Sequence, residues 1–221
     1  MKETTNIQRS IQYLYKIFNA LNETYFDSEL DRPIITIQST PTAYGHFTPW
    51  NAYRIKQDNG TITGNVEINI GAGTLDRPIE NVVATLQHEL IHYYCYLHSI
   101  KDTSRKGQYH NKKFKSEAEK RGLAISYDSR IGWSITEPTE ELINLIISCG
   151  FEDFRISRNE FSGFRMIGTG THATNGTQTT TVPKGNSHKL ICPCCRTIVR
   201  YTTKKAPHLM CMDCNKPMIE S

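Results

Sequence analysis

The sequence predicts an α+β fold: a mixed helix-and-strand domain, a polar linker and a small C-terminal module held together by cysteines. Three observations lead there. Ile11, Leu14, Tyr15, Phe18 and Leu21 recur at three- and four-residue steps over residues 7–24, one side of an amphipathic helix. In "GNVEINI", Val66, Ile68 and Ile70 alternate with Glu67 and Asn69, the period of two that marks a half-buried strand. Near the C-terminus, Cys192-x2-Cys195 and Cys211-x2-Cys214 stand fifteen residues apart, inside the range of a four-cysteine metal site.

The remaining elements follow in order. "YFDSELDRP" turns the chain from the first helix toward a strand at Ile34–Gln38. "AYGHFTPW" reads as a structural turn with packed aromatics; the competing reading puts Tyr44, His46 and Trp50 on a substrate cleft, with His46 polarising a carbonyl. Pro78 sits near a helix start, and a helix runs from about Glu80 through "QHELIHYYCYLH". A polar loop, Ser99 to Gly107, leads to a second helix over about Asn111–Arg121, stopped by Gly122. Pro138 opens a third helix with Leu142, Leu145, Ile146 and Cys149 on one face, closed by Gly150. The rest of residues 123–166 carries no assignable pattern. Residues 168–187 are rich in Gly, Thr and Asn and almost uncharged, the composition of a flexible linker. The expected organisation is therefore a domain over 1–167, a linker over 168–187 and a module over 188–221.

Composition narrows the function classes. With 38% apolar and 22% charged residues, the chain is a globular protein rather than a disordered one. The N-terminus has no apolar run to act as a signal peptide, and Leu142–Phe151 is far short of the ~20 residues of a membrane span. Seven cysteines without a secretion signal favour metal ligation in a reducing compartment over disulfides. The expected setting is cytoplasmic or nucleoid/nuclear-associated, not secreted, with no membrane partner. The net charge of +4 is uneven: residues 184–221 carry seven Lys/Arg against Asp213 and Glu220, so residues 1–183 sum to −1. A polyanion is the natural partner of such a basic segment.

The chemistry sits in "HELIH". On a helix turning about 100° per residue, His92 lies about 40° from His88, one turn on, so both imidazoles face one side. Val83, Leu86, Leu90 and Leu97 fall opposite and form the buried stripe. Glu89 borders the histidine face without joining it. Two histidines supply two ligands to a zinc ion, and Glu89 is placed to take a proton from a zinc-activated water and deliver it to a leaving amine. A catalytic zinc needs a third protein ligand. His98 has the spacing of H-E-x-x-H-x-x-G-x-x-H enzymes, but Cys95 stands where those have the helix-breaking Gly. If the helix continues, His98 lies about 9 Å further along the axis and faces away. Glu117, Glu119 and His110 remain as candidates.

The cysteine module is the second expected metal site, with Cys192, Cys195, Cys211 and Cys214 as ligands. Cys194, His188 and His208 are the possible substitutes. Arg196 and Asn215 stand where such knuckles often carry Gly, and Asn tolerates the left-handed conformation better than Arg. Between the knuckles, "RTIVRYTTKK" reads as a β-ribbon. It would expose Arg196, Arg200, Lys204 and Lys205 to phosphates and leave Tyr201 free to stack on a base. Cys95 and Cys149 read as buried thiols, and Tyr93, Tyr94 and Tyr96 as core or rim residues.

"HELIH", followed 18 residues after His92 by His110 and then by Phe114, resembles the H-E-x-x-H … G-H-x-x-x-F arrangement of the SprT-like (Spartan-type) metalloproteases. "LNETYFDSEL" is similar to that family's opening helix-to-strand passage, "VEINI" to the strand before its metal helix, and the C-terminal cysteines to its zinc ribbon. Gln108 and Tyr109 separate Gly107 from His110, where the family usually has Gly directly before His. The resemblance implies a zincin-like domain with a zinc ribbon. It makes His88, His92 and His110 ligands of a catalytic zinc, Glu89 the base and a second zinc structural. It also implies proteins bound or crosslinked to DNA as substrates, with DNA recruited by the ribbon. The competing function is a nucleic-acid-binding or transcription-associated adaptor whose metal site is vestigial or regulatory; an ordinary peptidase for soluble peptides is a third.

Overall fold

The computed structural model describes residues 5–40, 42–159, 188–195, 197–201 and 206–220. The chain divides into two compact units, Met1–Gln178 and Thr179–Ser221. In the first, helix α1 (Ile7–Tyr25) opens on Asn6, whose side chain accepts from the Arg9 N–H, which satisfies one of the free donors of the first turn. Leu14, Ile17, Phe18 and Leu21 form its buried face, and Ile11 and Tyr15 flank it half-buried.

Strand β1 (Ile34–Gln38) pairs in parallel with β3 (Ile62–Gly71), and β2 (Gly45–Lys56) lies antiparallel along the other side of β3. The sheet order is β1-β3-β2, so β2 is an edge. Val66, Ile68 and Ile70 of β3 are buried, as their alternation requires. "AYGHFTPW" is not a turn: it contains the start of β2. Pro49 made a strand hard to read there, because a proline gives no N–H to a ladder. An edge tolerates it, and the β2–β3 pairing shifts register between Thr48 and Tyr53.

Helix α2 (Ile79–Leu97) runs between this sheet and the elements that follow, touching β2 and β3 as well as later strands and helices. Pro78 at its N-cap has no side chain to offer; Asp153 accepts from the Ile79 N–H at 2.8 Å instead, a cap supplied from far along the chain. Val83, Leu86 and Leu90 are buried as the stripe predicts. Leu97 is not: it is 46% exposed, because the last turn of α2 runs past its packing partners. A second sheet follows, built from β4 (Thr103–Ser104), β5 (Tyr109–His110), β6 (Leu123–Asp128) and β7 (Gly132–Pro138) in the order β4-β5-β7-β6. Between β5 and β6 lies α3 (Lys112–Glu119), capped by the Asn111 side chain, which accepts from the Lys113 and Phe114 N–H groups. The β6–β7 hairpin fills the stretch for which the sequence shows no pattern. Pro138 ends β7 rather than opening a helix; α4 (Glu140–Ser148) starts from Thr139. Cys149 caps the end of α4 and is exposed, not buried. Gly150, at φ +66°, closes it.

The second unit contains β8 (His188–Ile191), β9 (Ile198–Tyr201), β10 (Met210–Cys211), β11 (Lys216–Pro217) and β12 (Ile219–Glu220). They form a three-stranded sheet, β12-β8-β9, and the pair β10-β11. Asn215 takes φ +49° in the second knuckle; Arg196 lies outside the described residues, as does the expected linker over 168–187. Among the described residues no helix is long and apolar enough to cross a membrane.

Candidate metal centre

His88 and His92 stand one turn apart on α2, and β5 brings His110 against them. The three Nε2 atoms form a near-equilateral triangle: 3.1 Å from His88 to His110, 3.2 Å from His88 to His92 and 3.0 Å from His92 to His110. Each Nδ1 points outward to an acceptor. His92 meets the Asp102 carboxylate at 2.5 Å, His110 the Ile131 carbonyl at 3.4 Å and His88 the Thr136 hydroxyl at 3.0 Å. The Thr136 hydroxyl donates its own hydrogen to the Ser134 carbonyl.

These partners settle the tautomers. A carboxylate and a carbonyl only accept, so Nδ1 carries the hydrogen in His92 and His110, and the committed Thr136 hydroxyl demands the same of His88. Every Nε2 is then a bare lone pair, and the three lone pairs converge. Three imidazole lone pairs face to face repel one another unless a cation lies among them. The donor set suits zinc, which sits about 2.0–2.1 Å from imidazole nitrogens and, when tetrahedral, spaces them about 3.3 Å apart. Burial reinforces the neutral state: it holds the His88 imidazole well below its usual range and pulls His110 down to about 3. Phe114 forms the floor, its ring centroid 4.6 Å from those of His88 and His110 and 4.7 Å from that of His92.

Glu89 lies beside this triangle, against β2. Its carboxylate accepts from the Phe47 N–H, and burial nonetheless pushes its pKa up to about 7, the range in which a carboxylate works as a general base at neutral pH. Gly45 makes the approach possible. A Cβ there would stand 2.9 Å from the Asn69 carbonyl oxygen, 3.0 Å from Thr85 Cγ2 and 3.3 Å from Glu89 Cγ. The cleft in front of these groups encloses about 780 Å³, with Phe47, Pro49, Trp50 and Tyr96 on one wall and Lys101 and Lys106 on the other. His46 also borders it. Tyr44 is buried under the Arg77 guanidinium, so of the three residues in "AYGHFTPW" two face the cleft and one is packing.

The other candidates for third ligand are engaged elsewhere. His98 caps the end of α2, packs on the Tyr94 ring and meets the Glu29 carboxylate at 3.2 Å. Glu117 pairs with Lys120 and Arg121, and Glu119 with Lys115. Asp102, Thr136 and the Ile131 carbonyl escaped sequence reasoning. All three lie outside the helix, Asp102 just before β4, Ile131 in the β6–β7 turn and Thr136 on β7, so no spacing pattern betrays them.

The second unit gathers Cys192, Cys195, Cys211 and Cys214, with sulfur atoms within 4.8 Å of one another. Such crowding raises the Cys211 and Cys214 thiols above their usual range, while the Thr197 hydroxyl and N–H hold Cys195 down to about 6. Cys194 is exposed and His208 is outside the cluster; His188 instead stacks on Tyr201. That contact corrects the reading of Tyr201 as free to stack on a base. It is 9% exposed, its cross-strand partner is His188, and its hydroxyl donates to Glu220 at 2.6 Å. Arg200 is half-buried, and Lys204 and Lys205, like Arg196, lie outside the described residues.

A helix carrying H-E-x-x-H beneath a mixed sheet, with a third histidine from the following strand, defines a zincin-like α+β protein. The model of the SprT-like family matches residues 14–129, more than half of the chain, and the chain belongs to that family. Membership points to a zinc-metalloprotease type of function. Among curated proteins, none matches the chain.

Proposed function

We propose that the protein is a zinc-dependent endopeptidase acting on proteins associated with or crosslinked to DNA. His88, His92 and His110 hold the catalytic ion, and Cys192, Cys195, Cys211 and Cys214 hold a structural one. The observation that carries the catalytic part is the convergence of three Nε2 lone pairs beside a buried carboxylate. Zinc bound there would supply Lewis acidity, lowering the pKa of a water toward about 7 and polarising a carbonyl. The chain's own residues do the rest. Asp102, Thr136 and the Ile131 carbonyl fix the ring orientations. Glu89 removes a proton from the attacking water and hands it to the departing amine, and the raised pKa of Glu89 suits both transfers. Phe47, Trp50 and Tyr96 offer an apolar wall for a substrate side chain.

The DNA part of the reading is supported by the basic excess of residues 184–221, +5 by count, which suits a polyanion. The test is cleavage of casein and of histones by the full zinc-loaded chain, with and without DNA. Histone cleavage that DNA accelerates is the expected result. Cleavage indifferent to DNA would contradict the substrate class, and no cleavage of either protein would contradict the enzyme.

A further inference from the structure

The two walls of the cleft differ in chemistry. On one, the Phe47 and Tyr96 rings pack with centroids 5.8 Å apart, and Trp50 beside them is 63% exposed. On the other stand Lys101 and Lys106, both exposed. Among the described residues neither ammonium has a carboxylate partner. Of the two acids that line the cleft, Asp102 turns its carboxylate to His92 and Glu89 accepts from the Phe47 N–H. Other lysines and arginines of this region, Lys115, Lys120, Arg121 and Arg130, do have acidic partners.

The backbone fixes both lysines in place. Arg105, Lys106 and Gly107 take φ +51°, +58° and +90° in succession, a region where only the glycine is at ease. The turn is closed by the Gly107 N–H, which donates to the Ser104 carbonyl at 3.1 Å, and by the Gln108 N–H, which donates to the Arg105 carbonyl at 3.4 Å. Strain of this kind gathers at ligand-binding loops. Lys101 is held from the far side of the same loop: its carbonyl accepts from the Asn111 side chain at 2.8 Å.

We propose that the cleft selects peptide segments in which a bulky apolar residue adjoins an acidic one, the apolar side chain lying on Phe47, Trp50 and Tyr96 and the carboxylate on Lys101 and Lys106. An extended chain sends successive side chains to opposite sides, so two neighbouring residues meet the two walls of one cleft. The aromatic wall gains from covering apolar surface. The lysine wall gains from an anion and repels a basic side chain. The carboxylate belongs to an internal Asp or Glu, because an endopeptidase holds a chain that continues beyond the cleft on both sides. In that respect the inference rests on the proposed function, but its test reads binding and not catalysis.

The chain has two tryptophans, Trp50 and Trp133, so Trp133→Phe leaves Trp50, on the aromatic wall, as the sole tryptophan reporter. The full zinc-loaded chain also carries Glu89→Gln, which keeps a bound peptide intact. Short peptides blocked at both ends, with Phe-Glu or Glu-Phe at the centre, are titrated while Trp50 emission is followed. Gln or Lys replaces the Glu in control peptides, and one further peptide ends on Phe with a free carboxylate. Saturable change in Trp50 emission is expected, with the Glu peptides binding about three-fold tighter than the Gln ones and about ten-fold tighter than the Lys ones, the scale of exposed ion pairs. The preference should shrink as salt rises. Lys101→Glu together with Lys106→Glu should invert it, so that the Lys peptides bind best. Equal affinity for the Glu, Gln and Lys peptides, or a preference that the double reversal leaves unchanged, would overturn the proposal. Tightest binding by the free-carboxylate peptide, or no binding by any of them, would also overturn it. Selection of the acidic peptides beside a wild type that cleaves nothing would contradict only the proposed function; a wild type that cleaves casein or histones, beside a Gln variant without this selection, would contradict only the inference.

Discussion

Asp102 ties two of the three histidines together. Its side chain accepts from His92 Nδ1 at 2.5 Å, and its carbonyl accepts from the backbone N–H of Asn111 at 3.0 Å, directly after His110. One loop residue thus orients one of the three histidines and anchors the chain beside another. Removing such an outer partner commonly costs about 10–100-fold in metal affinity. Asp102→Ala should weaken zinc at the histidine site by that factor, read by competition with a chromophoric chelator. Asp102→Asn, whose amide oxygen still accepts from Nδ1, should recover part of it. Wild-type affinity in the Ala variant would show that Asp102 is an ordinary surface carboxylate.

Glu89→Gln should keep both metal sites filled and lose peptide hydrolysis by about 10²–10⁴-fold, the usual loss with a general base. A Gln variant that turns over at the wild-type rate would remove Glu89 from the mechanism.

The same residue has a stability consequence in metal-free protein. Burial raises the folded pKa of Glu89 from 4.5 to about 7, so between those values the folded chain holds a proton that the unfolded chain has lost. Stability therefore falls as pH rises through this window, by up to about 3 kcal/mol. Metal-free Glu89→Gln should melt above metal-free wild type at pH 8 and level with it at pH 4. His88 and His110 act in the opposite sense: their folded pKa values are depressed, so stability present above the ordinary imidazole pKa of about 6.5 is lost as pH falls below it. A wild type that gains stability between pH 5 and 8 relative to the Gln variant would contradict the burial of Glu89.

Gly45→Ala places a methyl against Asn69, Thr85 and Glu89. The tightest of these contacts is to a backbone oxygen, so β2 itself must shift against β3, and it carries with it the Phe47 N–H from which Glu89 accepts. Zinc content should hold while kcat falls, by up to about 100-fold for a displacement near 1 Å. Unchanged kcat would mean that the cleft absorbs the methyl without moving the base.

The helices were legible because their apolar spacing is regular. The α2 phase separates His88 and His92 from the buried Leu86 and Leu90, and it sends His98 to the far end, where Glu29 receives it. The β6–β7 hairpin was not legible, since buried Leu123 and Ile125 alternate with exposed Ala124 and Ser126 for only four residues before exposed Tyr127 breaks the pattern. With it went Thr136 and the Ile131 carbonyl. β2 was hidden by Pro49. The cysteine spacing located the second cluster, but not the fate of Tyr201: a tyrosine between basic residues reads as exposed until His188 and Glu220 are seen across the sheet from it.

We propose that His110, and not His98, completes the histidine site. The most direct test is zinc stoichiometry, measured together with protease activity, in full-length His110→Ala and His98→Ala proteins. Two protein ligands hold the ion poorly, so the His110 variant should keep only the cysteine-bound zinc and lose activity. The His98 variant should keep both ions and its activity. An active His110 variant with its zinc intact, beside a His98 variant that has lost an ion, would contradict the account.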